Sequence, residues 1–161
     1  MLDQIIGSVR RNHALEHATV SILMGRLGPD TRLIGRATAS GFYIYGDVPP
    51  QDLQESAEQG LKRLQAGESV LAVSPLCGTN LAVAGVMAGL ASTLSAGNRN
   101  RWERLPTVLL ASMLAVLAAQ PLGRWVQKYV TTSPDLKGLR IVDIRGSDRA
   151  RGNYYKVETA R

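Results

Sequence analysis

Apolar positions follow two different patterns along this chain. In residues 1–78 and 127–161 they alternate with polar positions at helical or strand spacing, whereas two uncharged runs occupy the middle. The first run, residues 81–97, is 17 residues long, and the second, residues 105–123, is 19 residues long. Each approaches the roughly 20 residues that a helix needs to cross a bilayer. The pattern therefore predicts an apolar helical hairpin between two amphipathic segments.

The amphipathic segments predict two helices and five short strands. The first helix spans residues 3–27 and ends at Gly28 and Pro29. The second helix opens at Pro49 and Pro50, and its apolar face consists of Leu53, Ala57, Leu61 and Leu64. Short apolar or alternating stretches predict strands at residues 31–38, 42–47, 69–73, 139–145 and 154–159.

Together these elements predict an α+β fold interrupted by a two-helix transmembrane hairpin. We expect residues 1–78 to supply an α-β-β-α-β part and residues 79–126 to form the hairpin. Residues 127–161 are expected to add a β-hairpin that completes the soluble domain. This arrangement is economical because a hairpin returns the chain to the side from which it started.

The ends of the two runs carry helix signals. Thr79 and Asn80 precede the first run and can cap a helix there. Pro106 lies near the start of the second run, where a helix tolerates proline. Pro121 lies near its end, where we expect it to bend or stop the helix.

Small residues occur at helical spacing in both runs. Gly85 and Gly89 form a GxxxG pair, and Ala111, Ala115 and Ala119 repeat every fourth residue. This spacing lets helices approach closely in lipid. It predicts a tight hairpin that also packs against a second copy or another membrane protein through Gly85, Gly89, Ala111 and Ala115.

Two environments suit such a hairpin, a lipid bilayer and the interior of a soluble oligomer. We favour the bilayer and expect a multi-pass protein of the inner or plasma membrane. The flanks carry more basic residues than the connecting loop, which favours cytoplasmic termini. The flanking residues are Lys62, Arg63, Arg124, Lys128, Lys137 and Arg140, and the loop residues are Arg99, Arg101 and Arg104.

Charge and composition change this prediction little. The net charge is +6, and residues 124–161 carry +5 of it, next to the second apolar run. A basic segment in this position is expected to bind anionic lipid headgroups. We expect no nucleic-acid binding, because basic and aromatic residues do not cluster as they do in single-strand binders. One cysteine, Cys77, excludes an internal disulfide.

The segment RNHALEHA places polar side chains on an apolar helical face. At a period of 3.6 residues, one stripe of the first helix contains Ile6, Val9, His13, His17, Val20, Met24 and Leu27. Glu16 lies at the edge of this stripe. If the stripe is buried, two imidazoles and a carboxylate are buried with it, and each needs a partner.

Four interpretations of these residues stay open. The first is a structural polar network, which we favour, formed by Asn12, His13, Glu16, His17 and Asn80. The second is a zinc site in which His13 and His17 present nitrogens on one helical face and Cys77 supplies a third ligand. The third is a zinc-dependent hydrolase, since His-x-x-Glu-His spacing would make Glu16 a general base. The fourth pairs Cys77 as nucleophile with a histidine base.

The chain also contains four distinctive segments: RNHALEHATVSIL, GFYIYGDV, LCGTN and YYKVET. Together they resemble an uncharacterised family of bacterial membrane proteins, a domain of unknown function seen in cyanobacteria and Chloroflexi-like lineages. The resemblance spans residues 9–159, and its most specific part is the RNHALEHA motif. It implies a small integral membrane protein and carries over no catalytic residue.

These observations favour a non-enzymatic protein, a subunit or assembly factor of a membrane complex. The metal site or structural polar network would then stabilise the fold. The alternative is a membrane-bound zinc-dependent hydrolase centred on His13, Glu16 and His17.

Overall fold

The computed structural model describes residues 1–28, 30–97, 101–147 and 153–161, with only the backbone of Arg101. The described residues form four α-helices and a four-stranded sheet, which confirms the predicted α+β class. The helices are α1 (Leu2–Leu27), α2 (Pro50–Gln65), α3 (Gly78–Ala96) and α4 (Arg101–Val126). The strands are β1 (Ile34–Thr38), β2 (Gly41–Tyr45), β3 (Arg140–Gly146) and β4 (Tyr154–Ala160).

The chain divides into two compact units. The first unit contains Met1–Ser74 and Lys128–Arg161, and the second contains Pro75–Gln127. All four strands, α1 and α2 belong to the first unit, and α3 and α4 belong to the second. The domain boundaries expected from the sequence, at residues 1–78, 79–126 and 127–161, stay a prediction.

The sheet of the first unit joins the two ends of the chain. Its strands lie in the order β1-β2-β4-β3, and each neighbouring pair is antiparallel. The central pair aligns Phe42 with Val157, although more than a hundred residues separate them in sequence. At the start of β2, Gly41 has a φ of 141°, and a Cβ atom there would collide with the carbonyl of Val157. Only glycine fits this close pairing.

One face of the sheet packs against α1 and α2 and forms the core. Alternation along β2 turns Phe42 and Ile44 inward, and Val157 of β4 lies beside them. The largest helical contributions come from Leu15, Leu23, Leu53 and Leu64. Leu136 and Leu139, which precede β3, close the core.

Helix α1 is buried more completely than the sequence indicates. Residues 14–19 are all buried, and six consecutive residues cover more than one helical turn. Ile6 is exposed and Val20 and Met24 are half-buried, so the predicted apolar stripe is not the centre of the buried surface. The reason is that α1 contacts the sheet on one side and α2 and residues 69–72 on others.

The other sheet face is open, and its charges pair locally. Lys156 Nζ donates to Glu158 Oε1 at 2.7 Å, and Arg145 Nε donates to Asp143 Oδ2 at 2.6 Å. These hydrogen bonds hold the pKa of both carboxyls below their usual values. Pairs that keep part of their surface in water, as these do, contribute little stability.

In the second unit, α3 and α4 form an antiparallel hairpin. The hydroxyls of Ser92 and Ser112 hydrogen-bond across the pair at 2.7 Å. Near its ends, the buried Gln127 donates from Nε2 to Asn80 Oδ1 at 2.7 Å. Gly123 makes room for this contact, since a Cβ atom there would collide with the Asn80 side chain.

Two local predictions from the sequence are wrong, and a third is wrong in part. Residues 69–73 do not form a strand: Ser69–Ala72 is a 3-10 turn, closed by bonds such as Leu71 N–H to the Glu68 carbonyl at 3.1 Å. A short apolar run fits either structure, and this one packs against α1 and α2 outside the sheet. The described part of the chain therefore has four strands where five were predicted.

The other two concern the apolar helices. Pro121 does not stop α4, which continues to Val126 and a π-helical turn at Gln127–Thr131. That Pro121 bends the helix stays a prediction. Cys77, not Thr79 or Asn80, caps α3: its sulfur accepts from the Thr79 amide at 3.4 Å. Pro29 and Arg99 lie outside the described residues.

Replacing residues 75–127 with a short Gly/Ser linker should leave the first unit able to fold, since every sheet pairing lies within that unit. The expected result is a soluble chain with a cooperative thermal transition by circular dichroism. As a matched control, Val157→Asp in the shortened chain should abolish that transition, because it buries a charge in the core. A shortened chain that melts no more cooperatively than its control would contradict the prediction.

Candidate functional site

The middle of α1 carries a polar cluster consisting of His13, Glu16 and His17. Their spacing places the three side chains on adjacent positions of one helical surface. His17 is 2% exposed and Glu16 is 7% exposed, so both are removed from solvent. His13 is half-buried.

Both imidazoles are held through the same ring nitrogen. His13 Nδ1 lies 3.0 Å from the carbonyl oxygen of Thr131, and His17 Nδ1 lies 2.8 Å from that of Ala72. A carbonyl only accepts hydrogen bonds, so Nδ1 donates in each case. In the neutral rings, Nε2 therefore carries the lone pair.

The members of the cluster lie close together. The ring centroids of His13 and His17 are 4.3 Å apart, and a ring nitrogen of one lies within 4.8 Å of a ring nitrogen of the other. Glu16 Oε2 is 3.8 Å from His13 Nε2. The arrangement combines two imidazole nitrogens and a carboxylate, which are ligand types that zinc accepts.

Strand β1 makes room for the Glu16 carboxylate at Gly35. Gly35 pairs with the buried Ile44, so the same side of the strand faces the core. A Cβ atom at Gly35 would collide with Glu16 Oε1. The absence of a side chain on β1 thus permits a carboxylate to enter the helix–sheet interface.

Asn12 and Asn80, the other two residues of the predicted polar network, have hydrogen bonds of their own, and their membership of the network stays a prediction. Asn12 is buried, but it donates to the carbonyls of Thr38 and Ala39 and accepts from the Thr159 hydroxyl at 2.7 Å. It joins α1 to the β1–β2 turn and the end of β4. Asn80 belongs to the second unit, where it bonds the Pro75 carbonyl and Gln127.

Cys77 also belongs to the second unit, where it caps α3. Along the chain it follows Ala72, the residue whose carbonyl His17 contacts, by five positions. Its role as a third metal ligand stays a prediction, as does a role as nucleophile.

Several residues that position the cluster were not found from the sequence. Arg10 Nη2 donates to the carbonyls of Tyr129 and Thr132, which fixes the segment that His13 contacts. Main-chain carbonyls such as those of Ala72 and Thr131 leave no sequence signal, because every residue has one. Gly35 gave a weak indication of this interface, since a glycine inside a strand often marks a place where another group approaches the strand closely.

The sequence matches the family described as a domain of unknown function, DUF6391, over residues 8–144. This range covers most of the chain. The protein belongs to the DUF6391 family. The family resemblance predicted from the sequence is thereby confirmed, and His13, Glu16, His17 and Cys77 lie within the matched range.

A relative of this DUF6391 protein supports the assignment. The chain is 32% identical over 158 residues to an uncharacterized protein of Picosynechococcus sp. (strain ATCC 27264 / PCC 7002 / PR-6). The alignment covers 90% of this chain and 75% of the relative. No solved structure matches the chain.

Gly35→Ala should destabilise the protein by about 1–3 kcal/mol, because the new methyl group overpacks the interface beside Glu16. Gly25→Ala is the matched control, since a Cβ atom there meets nothing within 4 Å. In α1 this control should be neutral or stabilise by up to about 1 kcal/mol. Thermal melting in detergent measures both.

The origin of the effect can be tested in the double variant. If Glu16 is the obstacle, Gly35→Ala should cost much less stability in a Glu16→Ala background, because the colliding oxygen is gone. Equal melting temperatures of Gly35→Ala and Gly25→Ala would show that the close approach does not matter.

Proposed function

We propose that this DUF6391 protein is a membrane-anchored, non-enzymatic α+β protein that acts as a subunit or assembly factor of a membrane complex. In this proposal α3 and α4 anchor it in the inner or plasma membrane. The α+β unit formed by both chain ends is its working part in the cytoplasm.

The observation that carries the proposal is the exposed apolar surface of α3 and α4. Two helical segments, Gly78–Ala96 and Trp102–Thr131, are long and apolar enough to cross a membrane, and 6% of each apolar window is buried. Leu81 is 78% exposed and Leu94 is 83% exposed. Soluble monomers rarely expose contiguous apolar surfaces of this extent.

The polar side chains between α3 and α4 are hydrogen-bonded within the hairpin, as a lipid environment requires. The hydroxyls of Ser92 and Ser112 lie 2.7 Å apart, and each also lies within hydrogen-bond distance of the carbonyl four residues earlier. Because each hydroxyl has one proton, one serine donates to the other, and the second donates to the carbonyl of its own helix. Ala119 is buried, whereas Gly85 and Gly89 are exposed, and a Cβ atom at either glycine would meet nothing within 4 Å. Association with a partner through Gly85, Gly89, Ala111 and Ala115 stays a prediction.

The antiparallel hairpin and the charges at its ends support cytoplasmic termini in this proposal. Asn80 at the start of α3 contacts Gln127 after the end of α4, so both ends of the hairpin lie on one side. Arg124 and Lys128 lie at those ends, and Trp102 and Trp125 are exposed at opposite ends of α4. Basic flanks favour the cytoplasmic side, and exposed tryptophans suit the headgroup region.

The membrane assignment predicts that the full chain stays in the membrane pellet after an alkaline carbonate wash and is released by detergent. Exposed leucines on both helices account for this, because transferring them to water is unfavourable. Immunoblotting of the pellet and supernatant measures the distribution. The chain with residues 75–127 replaced by a linker is the control and should appear in the supernatant.

The soluble alternative makes the opposite prediction. If the two helices are buried in an oligomer, the full chain should leave the membrane fraction in carbonate and run as a large species without detergent. That result would overturn the membrane assignment.

One observation favours a second candidate, the zinc-dependent hydrolase. Glu16 Oε2 lies 3.8 Å from His13 Nε2 and is nearly buried, as a general base beside a metal ligand would be. A hydrolase needs a cleft that brings its substrate to the catalytic residues. Two surface clefts of about 500 Å³, one lined by Tyr154 and the other by Arg140, do not include His13, Glu16 or His17 in their linings. We therefore place the non-enzymatic function first.

Glu16→Gln separates the two candidates. Under the non-enzymatic function, wild type and Glu16→Gln should give equal rates on fluorescein-labelled casein and p-nitrophenyl acetate, since Glu16 has no catalytic role. A Glu16-dependent hydrolysis that falls by about 10²-fold or more in the variant would favour the hydrolase. Zinc content measured in the same preparations shows whether both proteins are in the same metal state.

A further inference from the structure

In the described part of the protein, the His17 side chain is buried with one ring nitrogen, Nε2, left unpaired. This atom is fully buried and has no hydrogen-bond partner among the described residues. Buried polar atoms are nearly always paired, because leaving one unpaired costs free energy. The opposite ring nitrogen is already used, since Nδ1 donates to the Ala72 carbonyl. Nε2 is therefore a desolvated lone pair that needs a partner.

A proton donor or a metal ion can fill this need, and the surroundings favour a metal. His13 shows the same pattern as His17: its Nδ1 donates to a main-chain carbonyl, so the lone pair is again on Nε2. Histidines that bind metals commonly donate their other ring N–H to a carbonyl or carboxylate, which fixes the tautomer and the ring orientation. Two neighbouring histidines on α1 share this arrangement.

The distances suit one ion between the rings. Two nitrogens bound to the same zinc at about 2.0–2.1 Å lie roughly 3–3.5 Å apart in tetrahedral geometry. One ring nitrogen of His13 already lies within 4.8 Å of one ring nitrogen of His17, and the ring centroids are 4.3 Å apart. Glu16 Oε2, at 3.8 Å from His13 Nε2, is placed to supply an oxygen ligand.

We propose that His13 Nε2 and His17 Nε2 bind one zinc ion, with the Glu16 carboxylate as the adjacent oxygen ligand. Imidazole nitrogen with a carboxylate suits zinc among the divalent metals. This inference goes beyond membrane anchoring and does not depend on it, because all three residues belong to the first unit.

The site also has a structural consequence. His17 holds Ala72, two residues before the first unit ends at Ser74, and His13 holds Thr131, three residues after it resumes at Lys128. An ion that fixes both rings fixes these two segments. Zinc binding therefore stabilises the first unit where its chain is interrupted.

The test uses the full chain, purified in detergent, stripped of metal with EDTA and titrated with Zn²⁺ against a zinc indicator. His13→Asn and His17→Asn are the informative variants, since an asparagine amide can still donate to Thr131 or Ala72 but lacks Nε2. Ser21→Ala, at an exposed position of α1, is the control.

We expect one zinc ion per chain in wild type and Ser21→Ala. Affinity should fall by more than about 100-fold in both asparagine variants, beyond the loss usual for changes outside the ligand shell. Zinc should raise the melting temperature of the wild type and leave that of His17→Asn unchanged. The X-ray absorption fine structure of the zinc-loaded wild type should contain scattering from two imidazoles.

Two results would overturn the proposal: a wild type that binds no zinc, or equal affinities in wild type and His17→Asn. Circular dichroism without metal shows whether each variant is folded. Should an asparagine variant fail to fold, the absorption spectrum of the wild type decides, and a spectrum without imidazole scattering rejects the site. Carbonate extraction of the same proteins reports on membrane anchoring separately.

Discussion

Helix α1 is buried around its whole circumference between residues 14 and 19, and several distant segments of the first unit satisfy its polar groups. A buried helix satisfies its own main chain, but buried polar side chains must find partners elsewhere. Asn12 hydrogen-bonds to the β1–β2 turn and to Thr159, and His17 hydrogen-bonds to the carbonyl of Ala72. Segments distant in sequence are thereby fixed against one helix.

The same helix secures the chain where the first unit is interrupted. The last carbonyls of a helix have no partner within it, and after α4 those of Tyr129, Thr131 and Thr132 accept from Arg10 or His13 of α1. Ser133 N–H in turn bonds the Arg10 carbonyl at 3.0 Å. These contacts place the returning chain so that β3 and β4 can join the sheet. A polar cluster that looks anomalous on an apolar helix is thus part of how the fold closes.

Segments of the chain differ, for physical reasons, in how far the local sequence predicts their structure. The strands around Phe42 and Val157 were predicted because alternation with a period of two reflects burial on one face. Residues 69–73 were predicted wrongly, because a short apolar run shows that a segment is buried and not how it is hydrogen-bonded. The stripe on α1 was incomplete because periodicity assumes one buried face, whereas α1 has neighbours on several sides.

The amino-acid sequence by itself determined the family, the α+β class, the two apolar helices and the presence of His13, Glu16 and His17 on one turn of helix. These features depend on local periodicity and on residue identity. Only the tertiary structure decided that each histidine donates through Nδ1, that His17 Nε2 is buried without a partner among the described residues, and that Gly35 admits the Glu16 carboxylate. These facts depend on main-chain carbonyls and empty space contributed by distant segments, and neither has a signature in the order of side chains.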